Sequence, residues 1–205
     1  MSVPAVNPAG APGWFGKLPA LGDFASRRLP EGFVRRWDRW LQRGLALARA
    51  QQGTAWLDGY LVAPIHRFWI APRVLGHTGW AGLLMPSVDR VGRHFPFTLA
   101  QPVDALPAAL AARDGFRALE AVARQVLDVA FTLDDLERAL ARLAPIDADA
   151  ADDAARRLSQ RLLRDFPSGT ATVWWCNDAG EAAQFACFPA MPPAPALVSM
   201  MGGPS

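Results

Sequence analysis

The stretch Trp80-Ala81-Gly82-Leu83-Leu84-Met85-Pro86-Ser87-Val88-Asp89-Arg90-Val91-Gly92-Arg93-His94-Phe95-Pro96-Phe97-Thr98-Leu99-Ala100-Gln101 sets two apolar runs on either side of a short charged connection. Apolar runs of this length, punctuated by Pro and Gly, read as strands, here predicted over 80–85 and 95–101. A third run, Arg67 to Ala71, comes before them across Pro72, Gly76 and Gly79. The middle third of the chain is therefore sheet-rich, and the fold class follows from what flanks it.

On the N-terminal side, Trp14 to Leu18 reads as a short strand, and Pro19 with Gly22-Asp23 marks the loop after it. From Glu31 to Gln51 the period changes to 3.6: Phe33, Trp37, Trp40, Leu41, Gly44, Leu45 and Ala48 share one helical face, and Arg35, Arg36, Arg39, Gln42, Arg43 and Arg49 share the other. On the C-terminal side, beyond Pro107, three helices are predicted, over 114–129, 133–143 and 151–165. Asp114, Thr132 with Asp134 and Asp135, and Asp152-Asp153 stand at their starts. A closing hairpin, 171–176 and 182–188, turns about Asn177-Asp178-Ala179-Gly180. Its adjacent Trp174 and Trp175 must point to opposite faces, so one of them is expected to be exposed or covered by a helix or a partner. Strands with helices both before and after them predict an α/β fold, a three-layer α/β/α sandwich with a mixed central sheet. Residues 1–205 form one domain in this reading, with 1–12 and 190–205 as flexible or surface-lying tails.

Composition narrows the function classes. In 205 residues, 51% hydrophobic, 21 Lys plus Arg oppose 19 Asp plus Glu for a net charge of +2, which gives no electrostatic basis for nucleic-acid binding. No run approaches the roughly 20 apolar residues of a membrane span. Residues 1–12 also lack a charged n-region followed by an apolar core, so a cytoplasmic location without membrane insertion is expected. In a tight closing turn Cys176 would face Glu181, leaving Cys187 about 20 Å further along at strand rise. That is beyond disulfide reach, and reduced thiols are expected.

The chain carries no G-x-G-x-x-G, Walker A, H-E-x-x-H, G-x-S-x-G or C-x-x-C spacing. His66, His77 and His94 lack paired ligand spacing, so neither enzymatic activity, metal nor cofactor is expected. One set of residues invites two readings. Lys17 and Asp23 sit about the first loop, where they can pair with each other, and Ser87, Asp89 and Arg93 sit in the charged connection. In the structural reading, Ser87 and Asp89 satisfy loop amides while Arg93 pairs with Asp89 or Asp23. In the functional reading, Arg93 and Lys17 bind an anion with help from Ser87, as a small-ligand sensor or an enzyme would. The basic face Arg35, Arg36, Arg39 and Arg43 is a solvated helix surface or a docking surface for an acidic protein, and Trp174 or Trp175 is a second candidate anchor.

Taken together, Gly13-Trp14-Phe15-Gly16-Lys17-Leu18-Pro19, Gly22-Asp23-Phe24, Trp37-Asp38-Arg39-Trp40-Leu41 and Pro86-Ser87-Val88-Asp89-Arg90-Val91-Gly92-Arg93 resemble, in order and spacing, the signature set of the TagF/ImpM family. Arg67-Phe68-Trp69, Phe95-Pro96-Phe97-Thr98 and Thr172-Val173-Trp174-Trp175 extend the similarity over most of the chain. The resemblance implies an α/β sandwich and a bacterial accessory role in type VI secretion. It also implies post-translational repression through binding to a forkhead-associated scaffold protein, as in some family members. Some relatives carry a fused phosphatase domain; no sequence remains for one after the closing hairpin, so phosphatase activity is not expected. Oligomeric state is left open.

Overall fold

In the strands, successive side chains alternate between two apolar environments, as the period-2 geometry of a sheet buried on both faces requires. The computed structural model describes residues 10–147, 151–166, 171–177 and 183–202. Its strands are β1 (Gly13–Gly16), β2 (Ala25–Arg27), β3 (His66–Ile70), β4 (Trp80–Met85), β5 (Phe97–Pro102), β6 (Thr172–Trp175) and β7 (Phe185–Phe188). They form one sheet in the order β2-β1-β5-β4-β3-β6-β7. Trp14, Trp69, Leu83, Phe97, Leu99, Val173 and Trp175 face one side, and Phe15, Phe68, Ile70, Leu84, Ala100 and Trp174 face the other.

The helices are α1 (Glu31–Gln52), α2 (Trp56–Val62), α3 (Leu106–Ala111), α4 (Arg113–Gln125), α5 (Leu133–Ala141), α6 (Asp153–Leu162) and α7 (Ala194–Met200). Residues of α1, α2 and α7 cover one face, and residues of α3 to α6 cover the other. The expected α/β/α layering is present. The sheet, however, is antiparallel at every described pairing, not mixed. Hairpins fix the direction within β1-β2, β3-β4-β5 and β6-β7, and these three units join through antiparallel β1–β5 and β3–β6 edges.

The α1 face read from the sequence is the buried one: Phe33, Trp37, Trp40, Leu41, Gly44, Leu45 and Ala48. Trp37 lies at its centre, its ring 6.0 Å from Trp174, 5.4 Å from Phe33 and 5.0 Å from Phe68. Its Nε1 donates to Thr98 Oγ1 at 2.8 Å, which satisfies the one polar atom the ring buries. On the opposite face the almost fully buried Arg67 donates to Glu120 of α4 at 2.6 Å and lies over the Phe116 ring, clipping β3 to that helix. Arg28 pairs with Glu137, which also accepts from Trp14 Nε1 at 2.7 Å, so the β2 edge is tied to α5.

Thr132 and Asp135 form a reciprocal capping box on α5, and Asp152 caps α6 by accepting from Ala155 N. The predicted cap Asp114 does not cap α4; it lies in the first turn, after the N-cap Ala112. The C-terminal segment, expected to be flexible or to lie on the surface, instead packs as a helix. Residues 194–200 form α7, with Leu197, Val198 and Met201 buried, and a Cβ at Gly44 would sit 2.3 Å from Leu197 Cδ2. Trp40 Nε1 donates to Pro192 O at 2.7 Å, fixing the approach to that helix. Apolar spacing in so short a segment gives little sequence signal, and the contact with α1 is what makes the helix worthwhile.

Candidate functional site

The β4–β5 connection closes as a narrow turn. A Val88–His94 bridge extends the two strands, Asp89 N donates to Arg93 O at 3.1 Å, and Gly92 sits at φ +81° with its amide on Asp89 O. A left-handed residue at this point suits glycine. Asp89 turns back beneath the loop and accepts from four donors. Oδ1 takes the amides of Val91 (3.1 Å) and Arg93 (2.8 Å), and Oδ2 takes Lys17 Nζ (2.8 Å) and Arg93 Nε (2.7 Å). Ser87 Oγ donates to Lys17 O at 2.8 Å, and Ser87 exchanges both backbone hydrogen bonds with the Tyr60 hydroxyl at 2.9 Å each. Arg93 Nη2 reaches Gly22 O at 2.5 Å, and Arg90 N donates to Leu21 O. The first loop, the charged connection and α2 are thus laced at one end of the sheet.

Lys17, Ser87 and Asp89 are buried, whereas the Arg93 side chain is half exposed. Burial opposes the charge on Asp89, but the Lys17 ammonium, the Arg93 amide and guanidinium and the Val91 amide outweigh it, holding the carboxyl well below the usual range. Burial likewise pushes the Tyr60 hydroxyl up, against the opposing hydrogen bond to Ser87 and the charge of Arg49.

Of the five residues read as a cluster, Lys17, Ser87, Asp89 and Arg93 converge and Asp23 does not. Asp23 is exposed and accepts from the amide of Phe24 at 2.8 Å, while Lys17 turns inward. The sequence-level Lys17–Asp23 pair is therefore replaced by Lys17–Asp89. A buried carboxylate held by two backbone amides is the better-organised partner for a buried ammonium than an exposed one. Lys17 Nζ and Arg93 Nε are both taken up by Asp89, so the two do not stand as an empty pair for one external anion.

Arg35, Arg36, Arg39 and Arg43 are all exposed on α1, with Arg35 paired to Glu31. Trp174 and Trp175 do point to opposite faces, but both are buried, at 1% and 2% exposure, so neither offers a partner anchor. Helices cover both sides of β6, a consequence of its interior place in the sheet. His66, His77 and His94 do not gather, and among the described residues no group of three or more His, Cys, Asp or Glu could hold a metal ion. No described helix is long and apolar enough to cross a membrane.

One pairing carries no sequence signal, its members being 110 residues apart. Cys176 Sγ lies 3.2 Å from His66 Nδ1, whose other nitrogen lies 2.7 Å from Met200 O. The carbonyl can only accept, so Nε2 carries the hydrogen and Nδ1 accepts from the thiol. Burial pushes the Cys176 thiol up and the His66 imidazole down, which favours the neutral pair. Both cysteines are free. Val173 stands opposite Cys187, and Cys187 packs against the face of the sheet that carries Trp175. Cys176, next in the strand direction, points away from that face.

Comparison with curated proteins gives no match. The chain resembles the crystal structure of PA0076 from Pseudomonas aeruginosa PAO1, at 34% sequence identity and a TM-score of 0.77, over 95% of this chain and 96% of that one. Residues 13–143 match the family described as the TagF N-terminal domain, type VI secretion system-associated, a span that contains the whole Lys17–Ser87–Asp89–Arg93 network. With its signature residues building the end of the sheet where three segments meet, this chain belongs to the type VI secretion-associated TagF N-terminal domain family.

Proposed function

We propose that this chain is a non-enzymatic, cytoplasmic negative regulator of type VI secretion that acts after translation by binding a forkhead-associated scaffold protein. The observation that carries this reading is the use made of the family's charged residues. Asp89 takes up Lys17 and Arg93, so these groups shape and hold two adjacent surface loops, 18–24 and 86–96. A network of that kind supports a preorganised surface for a partner. The small-ligand or enzymatic alternative requires the same groups to face a substrate, and the burial of Lys17, Ser87 and Asp89, with Lys17 and Arg93 both paired to Asp89, favours it less.

Calorimetric titration with the cognate forkhead-associated protein, phosphorylated and unphosphorylated, tests the proposal. Saturable binding to either form is expected. Heat no greater than dilution for both forms, with both proteins folded, would remove the partner assignment.

A further inference from the structure

Beside the laced loops runs a groove between the second half of α1 and the β1–β2 and β4–β5 connections. Gln42, Leu45, Ala46 and Arg49 form one wall, Phe24, Arg93, His94 and Phe95 the other, and Trp56 and Lys17 complete the lining. The groove floor is aromatic. Phe24, 45% exposed, meets Phe95 edge-on at 4.7 Å, and Trp56 meets His94 edge-on at 6.2 Å. Exposed aromatic surface beside arginine is the composition of an interface centre more than of solvated surface.

Its electrostatics are one-sided. The groove lining contains no Asp or Glu among the described residues. Beneath it, Lys17 and Asp89 cancel as an ion pair. Arg49 is exposed, with its guanidinium 4.6 Å above the Trp56 ring. Arg93 keeps Nη1 clear of the bonds that its Nε and Nη2 make to Asp89 and Gly22. The Arg49 guanidinium over Trp56 and the half-exposed Arg93 on the opposite wall thus line the same groove, a geometry that accepts carboxylates at the rim while an apolar side chain fills the centre.

We propose that this groove is the docking site for an acidic peptide segment of the partner protein, one that alternates carboxylate with aromatic or large aliphatic side chains. The proposal rests on the partner-binding reading and deepens it by assigning the contact to Arg49, Arg93, Phe24 and Trp56. Arg49 anchors the carboxylate through its free fork while stacked on Trp56. Phe24 and Trp56 receive the apolar side chain.

The test is fluorescence-polarisation titration of the full chain with a labelled peptide of alternating glutamate, phenylalanine and leucine, against the same peptide with lysine in place of glutamate. Saturable binding of the acidic peptide, weakened by added salt, is expected, with no binding of the lysine peptide. Arg49→Glu should weaken binding roughly tenfold or more, since it replaces an attraction with a repulsion. Arg124→Glu, which makes the same net-charge change on exposed α4 surface across the sheet from the groove, should leave binding within about twofold. Absence of saturable binding of the acidic peptide, or equal losses in the two variants, overturns the assignment.

Repeating the scaffold titration with Arg49→Glu separates this inference from the function proposed above. If wild-type chain binds the scaffold and Arg49→Glu binds as tightly, the groove is not the contact and the regulatory reading stands. If wild-type chain fails to bind the scaffold, that reading fails and the peptide titration alone decides the groove.

Discussion

Replacing Asp89 by Asn removes a charge without changing the shape of the side chain. The Asn Oδ1 can still accept from the amides of Val91 and Arg93, so the turn keeps its backbone hydrogen bonds. What is lost is the counter-ion of Lys17, whose side chain is 5% exposed. Leaving one member of a buried pair uncompensated costs about 3–5 kcal/mol. For a chain of this size each kcal/mol moves Tm by about 2–4 °C, so a fall of roughly 6–20 °C is expected. Thermal unfolding followed by circular dichroism measures it. Adding Lys17→Met to the Asp89→Asn chain removes the stranded ammonium and should recover most of the loss, because a buried pair replaced as a pair is close to neutral. A single variant within about 1 kcal/mol of wild type, or a double variant no more stable than the single one, would refute the view that Lys17–Asp89 holds this end of the sheet.

Arg93→Ala should cost less, about 1 kcal/mol, since its side chain is half exposed and Lys17 still neutralises Asp89; urea unfolding that shows a loss as large as that of Asp89→Asn would contradict the assigned hierarchy. Gly16→Ala should give little folded protein, because Gly16 has φ +136° and a Cβ there would meet Pro96 O at 2.2 Å, as the soluble yield and circular dichroism of the variant will show. Acid should destabilise the chain in two stages. His66 and His94 are held below their ordinary value, first by burial, so the unfolded chain takes up protons that the folded chain refuses, and Tm should fall as pH drops below about 6.5. Asp89, depressed in the fold, contributes stability that is fully present above its unfolded value near 4 and lost as pH falls further. A Tm unchanged between about pH 7 and pH 5 would contradict the histidine assignment. Alkylation by iodoacetamide under native conditions at neutral pH should be slow at both Cys176 and Cys187, whose thiols burial holds up, and rapid once the chain is unfolded; mass spectrometry reads both.

The parts of the structure governed by local chemistry were legible. The 3.6-residue period over Glu31 to Gln51 gave the buried face of α1 residue by residue, because a helix fixes which side chains share a stripe. The capping box of Thr132 and Asp135 and the cap at Asp152 lie within a few residues of the amides they serve. Short segments were less legible: β2 has three residues, α3 six and α7 seven, too few for a periodic pattern to rise above its surroundings.

By itself, the sequence determined the layer order, the strands of the middle third, the outward arginine face of α1 and the order of motifs that marks the family. Each of these depends on side-chain spacing along the chain. Tertiary structure decided the partnerships. It chose Asp89 over Asp23 for Lys17, across 72 residues, because only folding brings one of the two carboxylates beneath two turn amides and out of water. It joined the three hairpin units as an antiparallel sheet, closed helices over both Trp174 and Trp175, and placed Arg49 over Trp56 beside Phe24 and Arg93. Composition names the groups that can pair, but burial determines which pair is worth most, and burial is a property of the folded chain.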